Sequence, residues 1–591
     1  MEGYFYLNNI HSPKDIKCLG EYELDVLATE IRQAILEKLS LTGGHVASNL
    51  GMVEITIALH HVFNSPIDKI VYDTSHQTYT HKILTGRVNA FLCPDHYMDV
   101  TGYTSPNESV HDHFVIGHTS TSISLAMGLC KGRDVCGGSE NIIAVIGDGA
   151  LSGGEALEGL NCAGEYGRNL IIVVNDNDQS IQENHGGIYK NLRLLRETKG
   201  QATYNWFIVQ GLDYIYEEDG HNIGALIKVF EKVKDCKKPV VVHIHTRKGK
   251  GYRFAEEMPE VWHYTPPFTA ETGIQKNSRR KKYSDITAAF LVQKAKEKPE
   301  LVVLTAGSAS IMGLTPQIRQ VLGNQFVDSG IAEEHTAALA SGIAIRGGIP
   351  IWGTLGTFFQ RSYDQFMQDV ALNNAPVILL FFGCGSYEMG DSTHICLYDI
   401  PMLSSIPGID YLAPTDHEEY IDMLTWFTEN IHKYNRPVAI RVPGAYAFRR
   451  DKEQTIDYAT KRNKYIVEKK GKDVAILGVG NYYSRAEVVA EELQKHGIYP
   501  TLINPLWVTA LDEETLEMLK MEHKLVVTLE DGIIEGGFGE KIARYYGNSI
   551  MQVLVKGHQR TIYNYPDVDS LLTQNGLQID QLVNEILRLI L

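Results

Sequence analysis

Two polar triplets in the stretch from Asn141 to His185 contain residue types that could hold a metal ion. Each triplet follows an apolar run that is typical of a buried parallel strand: IIAVI ends in GDG, and LIIVV ends in NDN. The carboxylate of Asp148, the amide oxygen of Asn177 and the backbone carbonyl of Gln179 would form a set of hard oxygen ligands. Such a set suits Mg²⁺, which fills its remaining positions with water and phosphate oxygens. The residues therefore predict a magnesium site that carries a diphosphate.

The segment between the two triplets must bring them to the same edge of a sheet. It opens with SGG and carries Ala156, Leu157, Leu160 and Ala163 at helical spacing, so the whole stretch is interpreted as a βαβ unit. Ligands of such units gather at the carboxyl ends of the strands, where both triplets would lie. Either triplet alone fits an ordinary strand-to-helix turn equally well, but both turns would then have to meet at one sheet edge by chance.

The composition limits the class of protein. A chain of 591 residues is too long for one core and predicts about three domains. Its 55 basic and 72 acidic residues give a net charge of -17, which disfavours nucleic acid and anionic membranes as partners. The chain opens without a signal peptide and has no apolar run of membrane-spanning length, so we expect a cytoplasmic protein.

Three histidines lie in loops that could contribute to the same pocket. His45 lies in LTGGHVASNLG, His76 follows a predicted strand in DTSHQ, and His118 lies in a Gly-Ser-Thr turn that should cap a helix. Each histidine taken singly fits a surface or loop residue with ordinary partners. Loops rich in glycine and hydroxyl side chains can, however, deliver side chains and backbone N–H groups to a ligand.

Five blocks of this first half resemble, in the same order, those of the 1-deoxy-D-xylulose-5-phosphate synthase family. The blocks are TGGHVASNLG, DTSHQTYTHKILTGR, GHTSTSIS, GDGALSGGEALEGLN and NDNDQSI. The last two also resemble the metal-diphosphate motif of thiamine diphosphate enzymes in general. The resemblance implies an α/β fold with three doubly wound domains of the transketolase type, two of which bind the cofactor. It also implies a homodimer, with each cofactor between the first and second domains.

The resemblance further implies roles for residues of the first half. His45 and His76 would be catalytic residues that face the reacting carbons, and His45 would also contact substrate. The implied metal ligands are Asp148, Asn177 and Gln179. The implied cofactor-binding residues of this half are His76, His118, Gly147, Asp148, Gly149, Ala150, Asn177 and Lys248.

Lys248 belongs to a basic loop, TRKGKGY, that follows a predicted strand. A solvated charge cluster explains Lys248 and Lys250 equally well. Resemblance to the T-K-K-G-x-G-Y block of the family implies instead that Lys248 reaches the cofactor pocket, and His263 also matches the family. The family is longer after Gly187, so a segment that borders its active site is shortened in this chain.

The resemblance and the composition together predict the domain boundaries. We expect a diphosphate-binding domain over residues 1–267, a linker over 268–282, a pyrimidine-binding domain over 283–450 and a C-terminal domain of transketolase type over 465–591. Gly478 and Gly480 follow a strand in the last domain. We do not interpret them as a dinucleotide site, because the third glycine of that motif is missing.

Glu333 is predicted to lie in the first turn of a helix that follows a short strand ending at Asp328. A carboxylate at this position could simply interact with the helix dipole. The block GIAEEH resembles G-I-A-E-Q-H of the family, which implies that Glu333 bonds to the aminopyrimidine of the cofactor. A carboxylic acid there promotes loss of the cofactor's C2 proton.

Two further blocks of the predicted pyrimidine-binding domain contain candidate site residues. The block GTLGTFFQRSYDQ resembles S-T-F-x-Q-R of the family. The resemblance implies that Phe358 stacks on the pyrimidine ring of the cofactor and that Arg361 lies near the acceptor. Without the resemblance, Phe358 would be interpreted as a core residue. EMGDSTH resembles G-A-D-G-x-T-H, which makes Asp391 and His394 candidates for substrate binding and proton transfer. The spacing between these two residues is one shorter than in the family.

The departures from the family lie on the acceptor side. Leu355 replaces a tyrosine, FFGCGS replaces D-R-A-G without an arginine, and Ser404 replaces the arginine of Y-L-R. RVPG keeps Arg441 alone from R-Y-P-R-G, so Arg441 is the predicted substrate residue. By resemblance several of these groups hold the phosphate of glyceraldehyde 3-phosphate, and each lost charged hydrogen bond would cost about 1.5 to 3 kcal/mol. We therefore expect intact cofactor machinery and a changed acceptor site.

The resemblance implies a thiamine diphosphate- and Mg²⁺-dependent transferase that decarboxylates pyruvate and joins the two-carbon unit to glyceraldehyde 3-phosphate or a related aldehyde, and that acts on these small molecules. A transketolase-like enzyme, or a synthase-like enzyme with another aldehyde or sugar acceptor, is the nearest alternative. A non-catalytic doubly wound protein that binds a nucleotide or metabolite is an alternative from another class.

Overall fold

The structure, a computed structural model, describes residues 3–276, 281–386, 391–444, 447, 456–564 and 567–591. The chain forms two compact units. The first contains Met1–Ser278 and Gly330–Ala332, and the second contains Arg279–Ser329 and Glu333–Leu591. Residues 277–280 of the predicted linker and 448–450 of the predicted second domain lie outside the described residues.

A five-stranded parallel sheet is the centre of the first unit. Its strands are β1 (Lys69–Tyr72), β2 (Ile142–Gly147), β3 (Leu170–Asp176), β4 (Asp213–Glu217) and β5 (Pro239–His245), in the order β1-β2-β3-β5-β4. Gly147 pairs with Asn175, so the two polar triplets meet at one edge of the sheet. This register is the one that the predicted βαβ unit requires.

Helices cover both faces of this sheet. The helices of the first unit are α1 (Glu21–Thr42), α2 (Val46–Leu50), α3 (Val53–Val62), α4 (Tyr79–Lys82), α5 (Asn89–Leu92), α6 (Ser122–Cys136), α7 (Gly154–Glu165), α8 (Gly187–Glu197), α9 (Trp206–Val209), α10 (Ile223–Val233) and α11 (Arg253–Glu257). Side chains alternate along β2: Ile142, Ala144 and Ile146 share a core with α6 and α7, whereas Ile143 and Val145 share one with α3 and α10.

The predicted linker contains regular structure. Strands β6 (Phe268–Thr269) and β7 (Ile274–Gln275) form a short antiparallel pair, and Phe268 is buried in a core of the first unit. The domain boundaries remain a prediction.

A six-stranded parallel sheet forms the first part of the second unit. Its strands are β8 (Leu301–Thr305), β9 (Phe326–Asp328), β10 (Ile349–Leu355), β11 (Ile378–Cys384), β12 (Asp410–Leu412) and β13 (Val438–Pro443), in the order β12-β13-β11-β10-β8-β9. The accompanying helices are α12 (Tyr283–Glu297), α13 (Pro316–Leu322), α14 (Glu333–Ile345), α15 (Tyr363–Gln365), α16 (Asp399–Ser404) and α17 (His417–Tyr434).

A mixed five-stranded sheet completes the second unit. Its strands are β14 (Ile466–Lys469), β15 (Asp473–Gly478), β16 (Thr501–Asn504), β17 (His523–Ile533) and β18 (Gln552–His558), in the order β14-β16-β15-β17-β18 with only β14 antiparallel. Its helices are α18 (Tyr482–Lys495), α19 (Glu513–Glu522), α20 (Phe538–Tyr546), α21 (Val568–Gln574) and α22 (Ile579–Ile590). One core contains residues of both sheets of this unit. In the described part of the chain, no helix combines the length and the apolar character needed to cross a membrane.

Candidate active site

The predicted metal ligands Asp148 and Asn177 follow β2 and β3 directly, so the parallel register brings their backbones to the same sheet edge. Asp148 is 1% exposed. Its carboxylate accepts hydrogen bonds from the backbone N–H of Gln179 at 3.1 Å and from Nδ2 of Asn184 at 2.9 Å. The buried Oδ1 of Asn177 has no hydrogen-bond partner among the described residues. A buried carboxyl group beside an unsatisfied amide oxygen fits a hard divalent cation such as Mg²⁺.

The charges around Asp148 also fit a bound cation. Burial, and next the neighbouring charge of Asp176, raise the pKa of Asp148 well above its ordinary value, while Lys248 acts in the opposite direction. A divalent cation would reverse this balance and keep the carboxylate ionised. Burial lowers the pKa of Lys248 to about 8. This lysine donates a hydrogen bond to the backbone carbonyl of Ser180, and its Nζ lies 3.2 Å from Nδ1 of His263.

The turn after β2 lets the chain approach closely. A Cβ on Gly149 would lie 2.6 Å from Cβ of Ser180, so a side chain at this position would clash. A Cβ on Gly147 would meet no atom within 4 Å, which leaves room for a ligand at the strand end. Ala150 offers its carbonyl to the hydroxyl of Ser120 at 2.8 Å, and this bond ties the loop of His118 to the turn.

Three of the predicted histidines lie together in the first unit. The ring centroid of His45 is 4.8 Å from that of His76 and 5.6 Å from that of His263, and the last two are 5.1 Å apart. Tyr103 and Tyr264 also contact the ring of His45, at centroid distances of 5.8 and 5.0 Å. Burial, and next the charge of Lys248, lower the pKa of His263 well below its usual range, so this ring is neutral at pH 7. The cluster can accept and donate protons beside Lys248.

In the second unit, Glu333 is the first residue of α14 and is 4% exposed. Its buried Oε2 has no hydrogen-bond partner among the described residues. Burial raises the pKa of Glu333 to about 7, although the positive charge of Arg361 acts against this rise. The raised pKa favours the protonated form of Glu333, which can donate a hydrogen bond.

Asp391 and His394 are connected through Thr393. The backbone N–H of Thr393 donates to Oδ1 of Asp391 at 2.8 Å, and its hydroxyl also bonds to that oxygen. The same hydroxyl lies 2.7 Å from Nδ1 of His394. The ring of Phe358 packs edge-on against the ring of His394 at a centroid distance of 5.6 Å. The shorter spacing therefore still yields a continuous polar connection, with Thr393 between the two predicted residues.

Arg441 was predicted to bind substrate, but its guanidinium group lies in a buried ion pair. The side chain is 1% exposed, and Nε is 2.6 Å from Oδ2 of Asp399. Nη2 donates to the backbone carbonyl of Asp531 at 2.6 Å, and the hydroxyl of Tyr411 donates to Asp399 at 2.5 Å. This placement does not support the substrate role, because the charge of Arg441 is already neutralised by Asp399.

Comparison with known proteins decides which family these residues belong to. Residues 7–208 and 193–246 match the family model described as 1-deoxy-D-xylulose-5-phosphate synthase. The synthase of that name from Caldanaerobacter subterraneus subsp. tengcongensis is 36% identical over 98% of this chain and 99% of its own length. The one from Alkaliphilus oremlandii is 37% identical over 99% of each chain. The chain belongs to the 1-deoxy-D-xylulose-5-phosphate synthase family.

The other matches agree with this assignment. Residues 280–445 match the pyrimidine binding domain of transketolase, and residues 463–569 match the transketolase C-terminal domain. The predicted family and the predicted α/β fold of transketolase type are thereby confirmed. A solved transketolase from Campylobacter jejuni aligns with 96% of this chain and 100% of its own at 16% identity, but its TM-score of 0.43 is too low to add to the assignment. Membership in the 1-deoxy-D-xylulose-5-phosphate synthase family makes the chain a thiamine diphosphate-dependent transferase of the transketolase class that acts on small molecules.

Sequence reasoning missed two polar residues of this member of the 1-deoxy-D-xylulose-5-phosphate synthase family. Asp176 lies between the residues of the NDN triplet, and its carboxylate is 2.7 Å from both Nη1 of Arg196 and Nε2 of His243. Burial acts to raise the pKa of Asp176, but hydrogen bonds from His243 and Arg196 lower it to about 2. Thr393 is the second missed residue. The NDN triplet could have indicated Asp176 as a second acidic residue beside Asp148, and the T-H pair of the block EMGDSTH could have indicated Thr393.

Proposed function

We propose that this chain decarboxylates pyruvate and transfers the remaining two-carbon unit to an aldehyde, with thiamine diphosphate held through Mg²⁺. Asp148 and Asn177 would bind the metal ion, with Gln179 as the third predicted ligand. When bound, thiamine diphosphate supplies a nucleophilic carbon and an electron sink for the decarboxylation. The other predicted cofactor contacts of the first unit, His76, His118, Gly147, Gly149, Ala150 and Lys248, are part of the same proposal.

The main support for this proposal is the buried carboxyl group of Glu333. A buried carboxyl group with an unsatisfied oxygen and a pKa near 7 can hold a proton and share it with a buried nitrogen acceptor. The aminopyrimidine ring of the cofactor offers such an acceptor, and Phe358 would stack on that ring. A group with this protonation state would be costly if its only role were to interact with a helix dipole, because that role requires a charged carboxylate.

The histidines supply the proton transfers on the substrates. His45, His76 and His263 form one cluster, and the lowered pKa of His263 keeps its ring neutral, so we assign the proton transfers to His45 and His76. In the second unit, Asp391 and Thr393 orient the ring of His394 by the bonds described above, so His394 can donate a proton to the new hydroxyl group. Arg361 is the proposed cation for the acceptor.

Two cations that are bonded to other side chains favour a second candidate function, in which the acceptor substrate carries no phosphate. Arg441 is neutralised by Asp399, and Ser404 accepts a hydrogen bond from Lys541, whose Nζ also lies 3.2 Å from the backbone carbonyl of Val508. Neither cation is presented to a ligand in these bonds. A phosphate group would then lose the charged hydrogen bonds that make its binding strong.

A panel of acceptors tests both candidates. Release of CO₂ from pyruvate is measured with thiamine diphosphate and Mg²⁺, with glyceraldehyde 3-phosphate and with its unphosphorylated counterpart. We expect CO₂ release that depends on an aldehyde. A higher kcat/KM for the phosphorylated aldehyde supports the synthase reaction, and a higher value for the unphosphorylated one supports the changed acceptor. No CO₂ release with any acceptor would contradict the decarboxylating function. The predicted homodimer and the cytoplasmic location belong to this proposal through the family resemblance.

A further inference from the structure

Three buried polar side chains connect the loops that carry the candidate histidines of the first unit. Asn49, Asp73 and Ser120 are at most 1% exposed. None of them is among the residues proposed above to touch cofactor or substrate. We refer to these three residues as the loop frame.

Asn49 joins the loops of His45 and His76. Its Nδ2 donates to the backbone carbonyl of His45 at 2.7 Å and to that of His76 at 2.8 Å. Its Oδ1 accepts a hydrogen bond from the backbone N–H of Tyr79 at 2.9 Å. One rigid amide thus holds both histidine carbonyls and the start of α4, so the backbones of the two histidines keep a fixed separation.

Asp73 joins the loop of His76 to the loop of His118. It follows β1, and its backbone N–H donates to the carbonyl of Val145 in β2 at 2.8 Å. Its carboxylate accepts hydrogen bonds from the backbone N–H of Ser120 at 2.7 Å and from that of Ser122 at 2.9 Å. Because Ser122 is the first residue of α6, the same carboxylate also satisfies the amino end of that helix.

Ser120 joins the loop of His118 to the turn after Asp148. Its hydroxyl donates to the carbonyl of Ala150 at 2.8 Å. Its backbone has φ of +76°, in the left-handed region. A Cβ on Gly153 would lie 2.1 Å from Oγ of Ser120, so the two chain segments pack in direct contact. The hydrogen bonds of the loop frame, together with the backbone of residues 73–76 and 148–150, therefore connect His45 to the turn of the predicted metal ligand Asp148.

We propose that the loop frame positions His45, His76 and His118 relative to one another and to the turn of Asp148, and so sets the turnover rate without touching the reactants. This inference rests on the proposed function for what the histidines do. A displacement of about 1 Å in a positioned group can cost about 10²-fold in rate. Loss of the donors of Asn49 would remove the hydrogen bonds that the part-buried carbonyls of His45 and His76 accept from it, at the point where the positions of the two histidines are set.

Asn49→Asp tests the connection between the loops of His45 and His76, because it keeps the size of the side chain and the acceptor for the backbone N–H of Tyr79. It replaces the two donors with an oxygen that faces two carbonyls. Asn141→Asp is the matched control: Asn141 is also buried, and its Nδ2 donates to Asp68 at 3.2 Å and to Asp235 at 3.0 Å. Asn141 immediately precedes β2, at the end of the strand opposite to Asp148.

Two measurements distinguish positioning from stability alone. We expect Asn49→Asp to lower kcat of CO₂ release about 10²-fold, with a much smaller change in the KM for pyruvate. Amide hydrogen exchange should increase in residues 43–52 and 73–80. Asn141→Asp places a carboxylate against those of Asp68 and Asp235, so it should lose at least as much thermal stability and exchange faster near the start of β2, yet leave kcat within about threefold of the unsubstituted chain. A kcat for Asn49→Asp as high as that of Asn141→Asp would overturn the proposal.

Ser120→Ala keeps the test decisive if Asn49→Asp does not fold, since it removes one hydroxyl group only. We expect kcat to fall about tenfold and amide exchange to increase in the segment 148–153. Unchanged kcat and unchanged exchange would overturn the proposal. If the unsubstituted chain itself releases no CO₂, the proposed function fails. The exchange measurements then still decide whether the loop frame holds the three loops.

Discussion

The turn around Asp148 and the cluster around Arg441 differ in how their buried charged groups are paired. At the first, the buried carboxyl of Asp148 has a raised pKa, and the buried amide oxygen of Asn177 lacks a partner among the described residues. At the second, the guanidinium of Arg441 lies 2.6 Å from the carboxylate of Asp399, which also accepts the hydroxyl of Tyr411. The first region is arranged for a charged ligand that comes from outside, whereas the second region has neutralised its own charges. This contrast supports the second candidate proposed above, in which the cofactor chemistry of the family is kept and the acceptor differs.

Asp148→Ala should have the largest effect, because it removes the carboxylate that is predicted to bind the metal ion. A bound metal ion contributes several kcal/mol, so we expect kcat for CO₂ release to fall about 10³-fold or more at fixed Mg²⁺. Asp213→Ala is the control, since Asp213 is an exposed aspartate at the start of β4 in the same sheet. A kcat for Asp148→Ala within tenfold of the control would remove the distinction between the two regions.

The raised pKa of Glu333 predicts a pH-dependent loss of stability. Below about pH 4.5 both the folded and the unfolded chain are protonated at this residue, and between pH 4.5 and about 7 only the folded chain keeps the proton. The free energy of unfolding should therefore fall as the pH rises through this range, by about 3 kcal/mol, and change no further above it. Urea unfolding without cofactor measures this against Glu333→Gln, which lacks the titration. Parallel curves for the two proteins would show that Glu333 has an ordinary pKa.

Glu333→Ala should lower kcat about 10²-fold or more and leave the fold intact, because the proposed proton donor is lost. Glu334→Ala is the control, since it changes the neighbouring carboxylate in the same first turn of α14. Steady-state CO₂ release and circular dichroism provide the two readouts. Unchanged turnover in Glu333→Ala would exclude this residue from the mechanism.

Thr393→Val should have the smallest effect. The hydroxyl that connects Asp391 to His394 is lost while the size of the side chain is kept, so we expect kcat to fall about tenfold, equivalent to about 1.4 kcal/mol for one hydrogen bond. Ser392→Ala removes a neighbouring hydroxyl outside this connection and should leave kcat unchanged. The same loss in both variants would mean that the connection through Thr393 does not orient His394.

The sequence predicted the placement of Asp148 and Asn177 at one sheet edge, but not the buried partners of Arg441, for a physical reason. Asp148 and Asn177 each follow an apolar run, and the parallel pairing of strands brings such positions together regardless of other contacts. Arg441 finds its partners 42 and 90 residues away, in Asp399 and Asp531. No local pattern encodes such a pair. The family resemblance therefore assigned Arg441 to a ligand, whereas only the folded chain shows its buried partners.

Long buried strands could be predicted from the sequence, but short strands could not. The run IIAVI is buried on both faces and belongs to β2, as a strand inside a parallel sheet requires. The hairpin of β6 and β7 was not predicted, because each strand has only two residues and offers no periodicity. The loop frame was missed for a different reason. Asn49 lies within a recognised block, but its side chain bonds to backbone atoms of another loop.

Titration calorimetry of thiamine diphosphate, with and without Mg²⁺, tests most directly whether the turn of Asp148 holds the cofactor through a metal ion. We expect saturable binding that requires Mg²⁺ and is absent in Asp148→Ala, while folded Arg441→Met binds the cofactor as the unsubstituted chain does. Binding that is equally tight without Mg²⁺, or that persists in Asp148→Ala, would show that Asp148 does not hold the cofactor through a metal ion.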